Sequence, residues 1–242
     1  MKELCPAEAL HEECGVFGIY DSTGKTNMVS AVYSALYALQ HRGQESCGIA
    51  LNVDGVLTGY RDLGLVSEVF TPRVLADLPQ DAKMATGHVR YATSGQRTRA
   101  NAQPMVLHHC KGTMAICHNG NLTNTRELTG ELFHKDRRHL NTSSDTELLV
   151  NVLANELQNS MNGMDLSPER VFRAVTRVHE RVEGSYAAIA LIAGYRLLAF
   201  RDLFGLRPLY LRQRPATSLF WASTWHVGVG TPEWLLLVTG GV

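Results

Sequence analysis

The chain has 242 residues with 45% hydrophobic content, enough for one large domain or two small ones with a substantial core. Lys+Arg and Asp+Glu both number 23, so no net field marks the chain as a binder of nucleic acid or of acidic membrane surfaces. The longest apolar stretch, "AAIALIAGYRLLAF", is broken by glycine and arginine and falls short of the ~20 residues that span a bilayer.

The leader "MKELCPAEALHEE" carries acids and lacks an apolar core, so it reads neither as a secretory signal nor as an arginine-rich transit peptide. The five cysteines (Cys5, Cys14, Cys47, Cys110 and Cys117) form an odd set without paired spacing, which suits a reducing cytoplasm. "CGVFGIYD" predicts a strand opened by Cys14, and a cysteine there reads first as a small buried hydrophobe. "TNMVSAVYSALYALQ" places Val29, Val32, Tyr33 and Leu36 on one helical face behind a Thr26 cap. "CGIALNVDGVLTGYRD" alternates about Asp54-Gly55, the strongest short hairpin signal.

"LVSEVFTPRVLADL" reads as helix broken at Pro72, and "AKMATGHVRYATSG" returns to strand before the polar loop "QRTRANAQP". "MVLHHCKGTMAICHNGNLTN" predicts two strands joined at Lys111-Gly112. Cys110, Cys117, His118, His108 and His109 crowd there, but not at zinc-ligand spacing, so no metal is expected and Cys117 reads as a buried strand residue. Three helices follow in "TRELTGELFHKDR", "SSDTELLVNVLANELQ" and "SPERVFRAVTRVHERV", the second opened by Ser144 or Asp145, the third by Ser167 with Pro168 at N1. "SYAAIALIAGYRLLAFRD" and "RPLYLRQRPATSLFWAS" predict two closing hairpins. Strands, then helices, then strands argue for an α+β architecture rather than a doubly wound sheet, and phosphate-binding loops are missing.

Six polar clusters remain: "LQHRGQESCGI", "TGHVRYATSG", "CHNGNL", "SSDTE", "EGSYA" and "RDLFGLRPL". Each has a structural explanation by itself. Asn119-Gly120 alone reads as a type I′ turn, Asp145 alone as a helix N-cap, and Arg90 alone as a solvated strand charge. Their joint order downstream of Cys14-Gly15 resembles the glutaminase domains of the glutamine phosphoribosylpyrophosphate (PRPP) amidotransferases, which are class II amidotransferases of the N-terminal nucleophile hydrolase superfamily. The likeness runs from Glu12 to about Ser223, and "LQHRGQES" sets it apart from the glucosamine-6-phosphate synthases.

That resemblance implies a four-layer αββα fold with two stacked, mainly antiparallel sheets, a leader or propeptide over residues 1–13 and a glutaminase domain over 14–242. It implies hydrolysis of L-glutamine to glutamate and ammonia through a Cys14 thioester, with ammonia passed on for the first step of purine synthesis. Cutting the Glu13–Cys14 bond would bare an α-amine of pKa ~7.7–8.0, able to take the proton of a thiol of ordinary pKa ~8.5. By similarity Asn119 and Gly120 are the oxyanion donors, Arg90 the carboxylate clamp, Asp145 the ammonium acceptor and Thr93 a helper. Arg42, Asp202 and Arg207 are expected to order the loops around them.

No cofactor is expected in this chain. Magnesium and PRPP would belong to the phosphoribosyltransferase domain, of which no counterpart is legible here and which is expected as a partner domain or subunit. A homo-oligomer is compatible with the family, and a cytoplasmic location with the composition. The competing expectation is an unprocessed, non-catalytic scaffold that binds glutamine or a synthase partner. Val89, Leu203 and Leu206 depart from the family's usual threonine, proline and asparagine, and the tail beyond Ser223 matches only loosely.

Overall fold

The computed structural model describes residues 14–21, 23–91, 97–109, 112–160, 166–194, 196–214, 218–222 and 237–238. Strand β1 (Gly15–Asp21) follows Cys14 directly. It ends at Asp21, whose carboxylate accepts the Thr23 and Thr26 N–H groups and the Thr23 hydroxyl, folding the turn into α1 (Met28–Ala38). The α1 cap is Asn27, whose side chain accepts from the Ser30 N–H, and not the expected Thr26, which instead donates its N–H back to Asp21. Val29, Val32 and Leu36 are buried as the periodicity demands, and Tyr33 is half-buried.

A short 3-10 turn (Gln40–Arg42) leads to the hairpin β2 (Ser46–Val53) and β3 (Val56–Leu63). Asp54 (φ 46°) and Gly55 (φ 87°) both take the left-handed values that a type I′ turn requires. The next segment breaks into α2 (Val66–Val69) and α3 (Pro72–Asp77), with Pro72 at the first turn where its missing N–H costs nothing. Then come β4 (Met84–Arg90), β5 (Met105–His109), β6 (Gly112–Leu122), α4 (Thr125–His134), α5 (Asp145–Ser160) and α6 (Pro168–Arg181). The chain closes with β7 (Gly184–Ile192), β8 (Arg196–Arg201), β9 (Tyr210–Arg214), β10 (Ser218–Ala222) and β11 (Leu237–Val238).

One sheet runs β3-β2-β4-β1-β10-β9 and is antiparallel at every pairing; the other runs β11-β8-β7-β6-β5 and is antiparallel except where β11 joins β8 in parallel. Helix α1 covers the outer face of the first sheet around Val32, Leu36, Ile49 and Val89. Helices α5 and α6 cover the second around Leu149, Leu153, Val175 and Tyr186. Between the sheets lie mainly small side chains, among them Val16, Ala50, Ala115, Cys117, Ala187 and Ala199. This is the αββα layering expected of the N-terminal nucleophile hydrolase fold.

Two local expectations fail for one reason. Asn119-Gly120 is not a turn: it lies within β6, where Asn119 faces Ala187 and Gly120 faces Tyr186 of β7. Arg90 is not a solvated strand charge but a buried residue at the end of β4. In both cases a cross-strand partner far along the chain overrides local propensity.

Strand β4 has two chemically distinct faces. Ala85 and Val89 join the α1 core, and a Cβ on Gly87 would come within 2.6 Å of Val32 Cγ1. The alternate residues, Thr86, His88 and Arg90, point the other way. Thr86 donates to Cys117 Sγ (3.3 Å), and His88 Nε2 bonds the His118 carbonyl (3.0 Å), both on β6 of the second sheet. Among the described residues no helix is long and apolar enough to cross a membrane.

Candidate active site

The pairing of Gly15 with Val89 sets Cys14 beside the end of β4. Its Sγ donates to the Tyr91 carbonyl and accepts from the Tyr91 N–H, each at 3.3 Å, while Arg42 Nε donates to the Cys14 carbonyl at 3.2 Å. A Cβ on residue 15 would sit 2.8 Å from Val89 Cγ2, so glycine is what lets the strand after the nucleophile approach this closely. Burial pushes the Cys14 thiol up to about 11, and the negative charge of Asp145 adds to it; the Tyr91 N–H and the positive charge of Arg90 oppose.

Arg90, 4% exposed, forms an ion pair with Glu45, 7% exposed, and the Glu45 N–H donates to the Arg90 carbonyl at 3.0 Å. Glu45 escaped the sequence reading although it lies inside the quoted "LQHRGQES". The available signal was an acid at the mouth of a largely apolar strand, a place that demands a cationic partner. A guanidinium presents five N–H donors in a fixed fork suited to carboxylates, and at Arg90 Glu45 takes one such contact.

Asn119 is 1% exposed, and among the described residues its side-chain Nδ2 has no hydrogen-bond partner. A buried, unspent amide donor is costly to folding and marks a place reserved for an acceptor. Gly120, with φ 144°, crosses so close to β7 that a Cβ would lie 2.0 Å from the Ser185 carbonyl oxygen. Two residues on, the Leu122 N–H donates to Asp145 Oδ2 (3.1 Å), which ties the start of α5 to this strand end; Asp145 Oδ1 is 3.8 Å from His118 Nδ1.

Asp202 accepts four backbone N–H groups: Tyr186 and Arg207 on Oδ2, Phe204 and Leu206 on Oδ1. One carboxylate thus shapes the late turn and fastens it to β7 opposite Gly120. Arg207 contributes its N–H to that turn, and its charge, behind the larger effect of burial, lowers the proton affinity of His118. Thr93 lies outside the described residues, as do the leader, Cys110 and the segment just beyond Ser223. Cys117 is a strand residue inside the inter-sheet layer, its thiol pushed up to about 12 by burial, and His109 turns instead to the Ala154 carbonyl of α5 (2.8 Å).

Cys14 therefore stands in the field of both Arg90 and Asp145, and Asp145 is bonded to the strand end that carries Asn119 and Gly120. The family described as "Glutamine amidotransferase domain" matches residues 88–227, more than half of the chain. The chain belongs to that family. Among curated relatives of this amidotransferase domain, amidophosphoribosyltransferase of Pseudomonas aeruginosa is 42% identical over 201 residues, covering 83% of this chain and 39% of the relative. The amidophosphoribosyltransferase of Escherichia coli is 40% identical over 202 residues, and that of Methanothermobacter thermautotrophicus 36% over 216.

Among solved structures, the glutamine PRPP amidotransferase from B. subtilis complexed with ADP and GMP superposes with a TM-score of 0.70 at 32% identity, covering 87% of this chain and 42% of that one. The amidotransferase chain spans 39% of the length of the Pseudomonas and Escherichia relatives.

Proposed function

We propose that this chain is the glutaminase part of an amidophosphoribosyltransferase, hydrolysing L-glutamine and supplying ammonia to a phosphoribosyltransferase partner domain or subunit. The observation that carries the reading is a nucleophile gripped by the backbone just beyond Arg90, with the unspent Asn119 amide on a strand whose end is bonded to Asp145; Arg90 and Asp145 are a buried cation and a buried acid. That pairing suits the α-carboxylate and α-ammonium of a free amino acid, and the relatives' names supply the pathway.

With burial holding its thiol up at about 11 and the Tyr91 backbone bonding its sulfur, Cys14 is mostly protonated near neutral pH and needs a base to become a nucleophile. Removal of residues 1–13 leaves an α-amine on Cys14 that takes the Sγ proton. The thiolate attacks the side-chain carbonyl carbon of glutamine, and the electron pair displaced onto oxygen is met by Asn119 Nδ2 and the Gly120 N–H. Collapse breaks the C–N bond, the α-ammonium returns its proton to the leaving nitrogen, and ammonia departs. Water, deprotonated by the same amine, cleaves the thioester to glutamate and the free thiol. Arg42 holds the Cys14 carbonyl through this cycle, and Asp202 with Arg207 holds the turn beside Gly120. Magnesium and PRPP are assigned to the part of the relatives that this chain does not cover; among the described residues no cluster of His, Cys, Asp or Glu could hold a metal.

The test is intact mass together with glutamate release. A species beginning at Cys14 that turns over glutamine, and a Cys14→Ala variant that does not, is the expected result. A full-length chain that hydrolyses glutamine equally well, or a trimmed one inert even beside a phosphoribosyltransferase partner, would refute it.

A further inference from the structure

Strand β6 is paired on one side by β7 along its whole functional end, but on the other side β5 reaches only as far as the Met105–Ile116 pair. Beyond that point the register would place Gln103 opposite His118, yet Pro104 has no N–H and the β5 ladder ends at Met105. Two side chains take over. The His118 N–H donates to Gln103 Oε1 at 2.6 Å, and the His118 carbonyl is bonded by His88 Nε2 at 3.0 Å. Gln103 is itself fixed, its Nε2 donating to Thr146 Oγ1 at 3.0 Å, next to Asp145 at the start of α5.

Backbone groups of an antiparallel strand alternate from edge to edge. The next residue whose N–H faces the same open edge as that of His118 is Gly120, and Asn119 with its unspent amide lies between them. His88 belongs to β4, whose end also carries Arg90 and the Tyr91 backbone that grips Cys14.

We infer that His88 and Gln103 are positioning residues, standing in for a missing strand partner along the open edge of β6 and holding the oxyanion donors of Asn119 and Gly120 in register with Cys14. The inference rests on the glutaminase reading above. His88 serves as a constant donor, because burial drives its pKa down to about 3 and keeps the ring neutral throughout the working range. Nε2–H donation to the carbonyl selects the tautomer.

The experiment compares His88→Met, which deletes the donor, His88→Gln, which returns an N–H at similar reach, and Gln103→Leu, which deletes the acceptor without touching β4. The expected result for His88→Met and Gln103→Leu is a fall in kcat for glutamine hydrolysis of ~10²-fold, the cost of misplacing one donor by about an ångström. KM should stay within about twofold and iodoacetamide labelling of Cys14 should be unchanged. His88→Gln should recover at least about tenfold of the loss. Amide exchange at Asn119 and Gly120 should quicken in both deletion variants. If His88→Met does not fold, Gln103→Leu decides alone. A folded deletion variant with wild-type kcat, or one whose kcat, KM and thiol labelling decline together, would overturn the inference. Failure of the trimmed wild-type chain to release glutamate even beside a phosphoribosyltransferase partner would instead sink the glutaminase reading, and amide exchange would still report whether the edge is held.

Discussion

Gly120→Ala isolates the close crossing of β6 and β7. The added Cβ would lie 2.0 Å from the Ser185 oxygen and 2.7 Å from Tyr186 Cα, both backbone atoms that cannot swing aside. Carbon and oxygen settle at about 3.3 Å, so the strands must part by more than 1 Å at this point. The φ of 144° adds strain of about 1–3 kcal/mol for any residue with a side chain, and overpacking adds a similar amount. The sum, about 2–6 kcal/mol, is a large share of a typical domain stability of about 5–15 kcal/mol. Because Gly120 N–H is a proposed oxyanion donor, kcat for glutamine should also fall ~10²–10³-fold in whatever fraction stays folded.

Urea unfolding gives the first quantity and glutamate release from the folded protein the second. Gly130→Ala is the matched control: it lies in α4 with nothing within 4 Å of the new methyl, so it should stabilise by up to about 1 kcal/mol and leave turnover alone. A Gly120→Ala protein within about 0.5 kcal/mol of wild type and unchanged in kcat would refute both the geometry and the assigned role.

Arg90→Lys should raise KM for glutamine ~10–100-fold through loss of a charge-assisted bidentate contact, measured by steady-state kinetics; an unaltered KM removes Arg90 from substrate binding. Asp21→Asn probes the turn into α1. Burial alone would raise this carboxyl, but hydrogen bonds from Thr23 and Thr26 outweigh it and hold the pKa at about 2, against 3.8 for a free one. Since the folded carboxyl is the more acidic, its contribution of roughly 2 kcal/mol is complete above pH ~4 and is lost as pH falls through about 2. The wild-type advantage over Asp21→Asn should therefore be present at pH 7 in denaturant titrations and vanish near pH 2; a difference independent of pH would contradict it.

Features decided within a few residues were legible in the sequence: the Asp54-Gly55 hairpin, the buried stripe of α1 and the break before Pro72. Thr26 and Asn27 are both good cap residues, and the choice of Asn27 follows from where Asp21, five residues before Thr26, curls over the turn and starts the helix. Asn119-Gly120 has turn chemistry, yet β7 arrives some sixty-five residues later and pairs across it. That Glu45 needed a cation was legible, but that the cation is Arg90, and that His88 meets the His118 carbonyl, was not, because each contact forms only once strands or sheets are assembled. The parallel β11 was missed for the same reason, being a two-residue element with a distant neighbour. Of the proposed site, Cys14, Arg90, Asn119, Gly120 and Asp145 were named through the order of their motifs, while the scaffold that aligns them emerged only from the fold.

The division of β4 into an aliphatic side and a hydrophilic side makes frame-shifted copies of this protein self-eliminating. Moved along by a single position, the strand would thrust an imidazole and a guanidinium among the leucines and valines of α1 and leave methyl groups where Cys117 and His118 expect partners. A copy mispaired at β4 therefore loses the α1 core together with the end of the strand that carries Arg90 and grips Cys14.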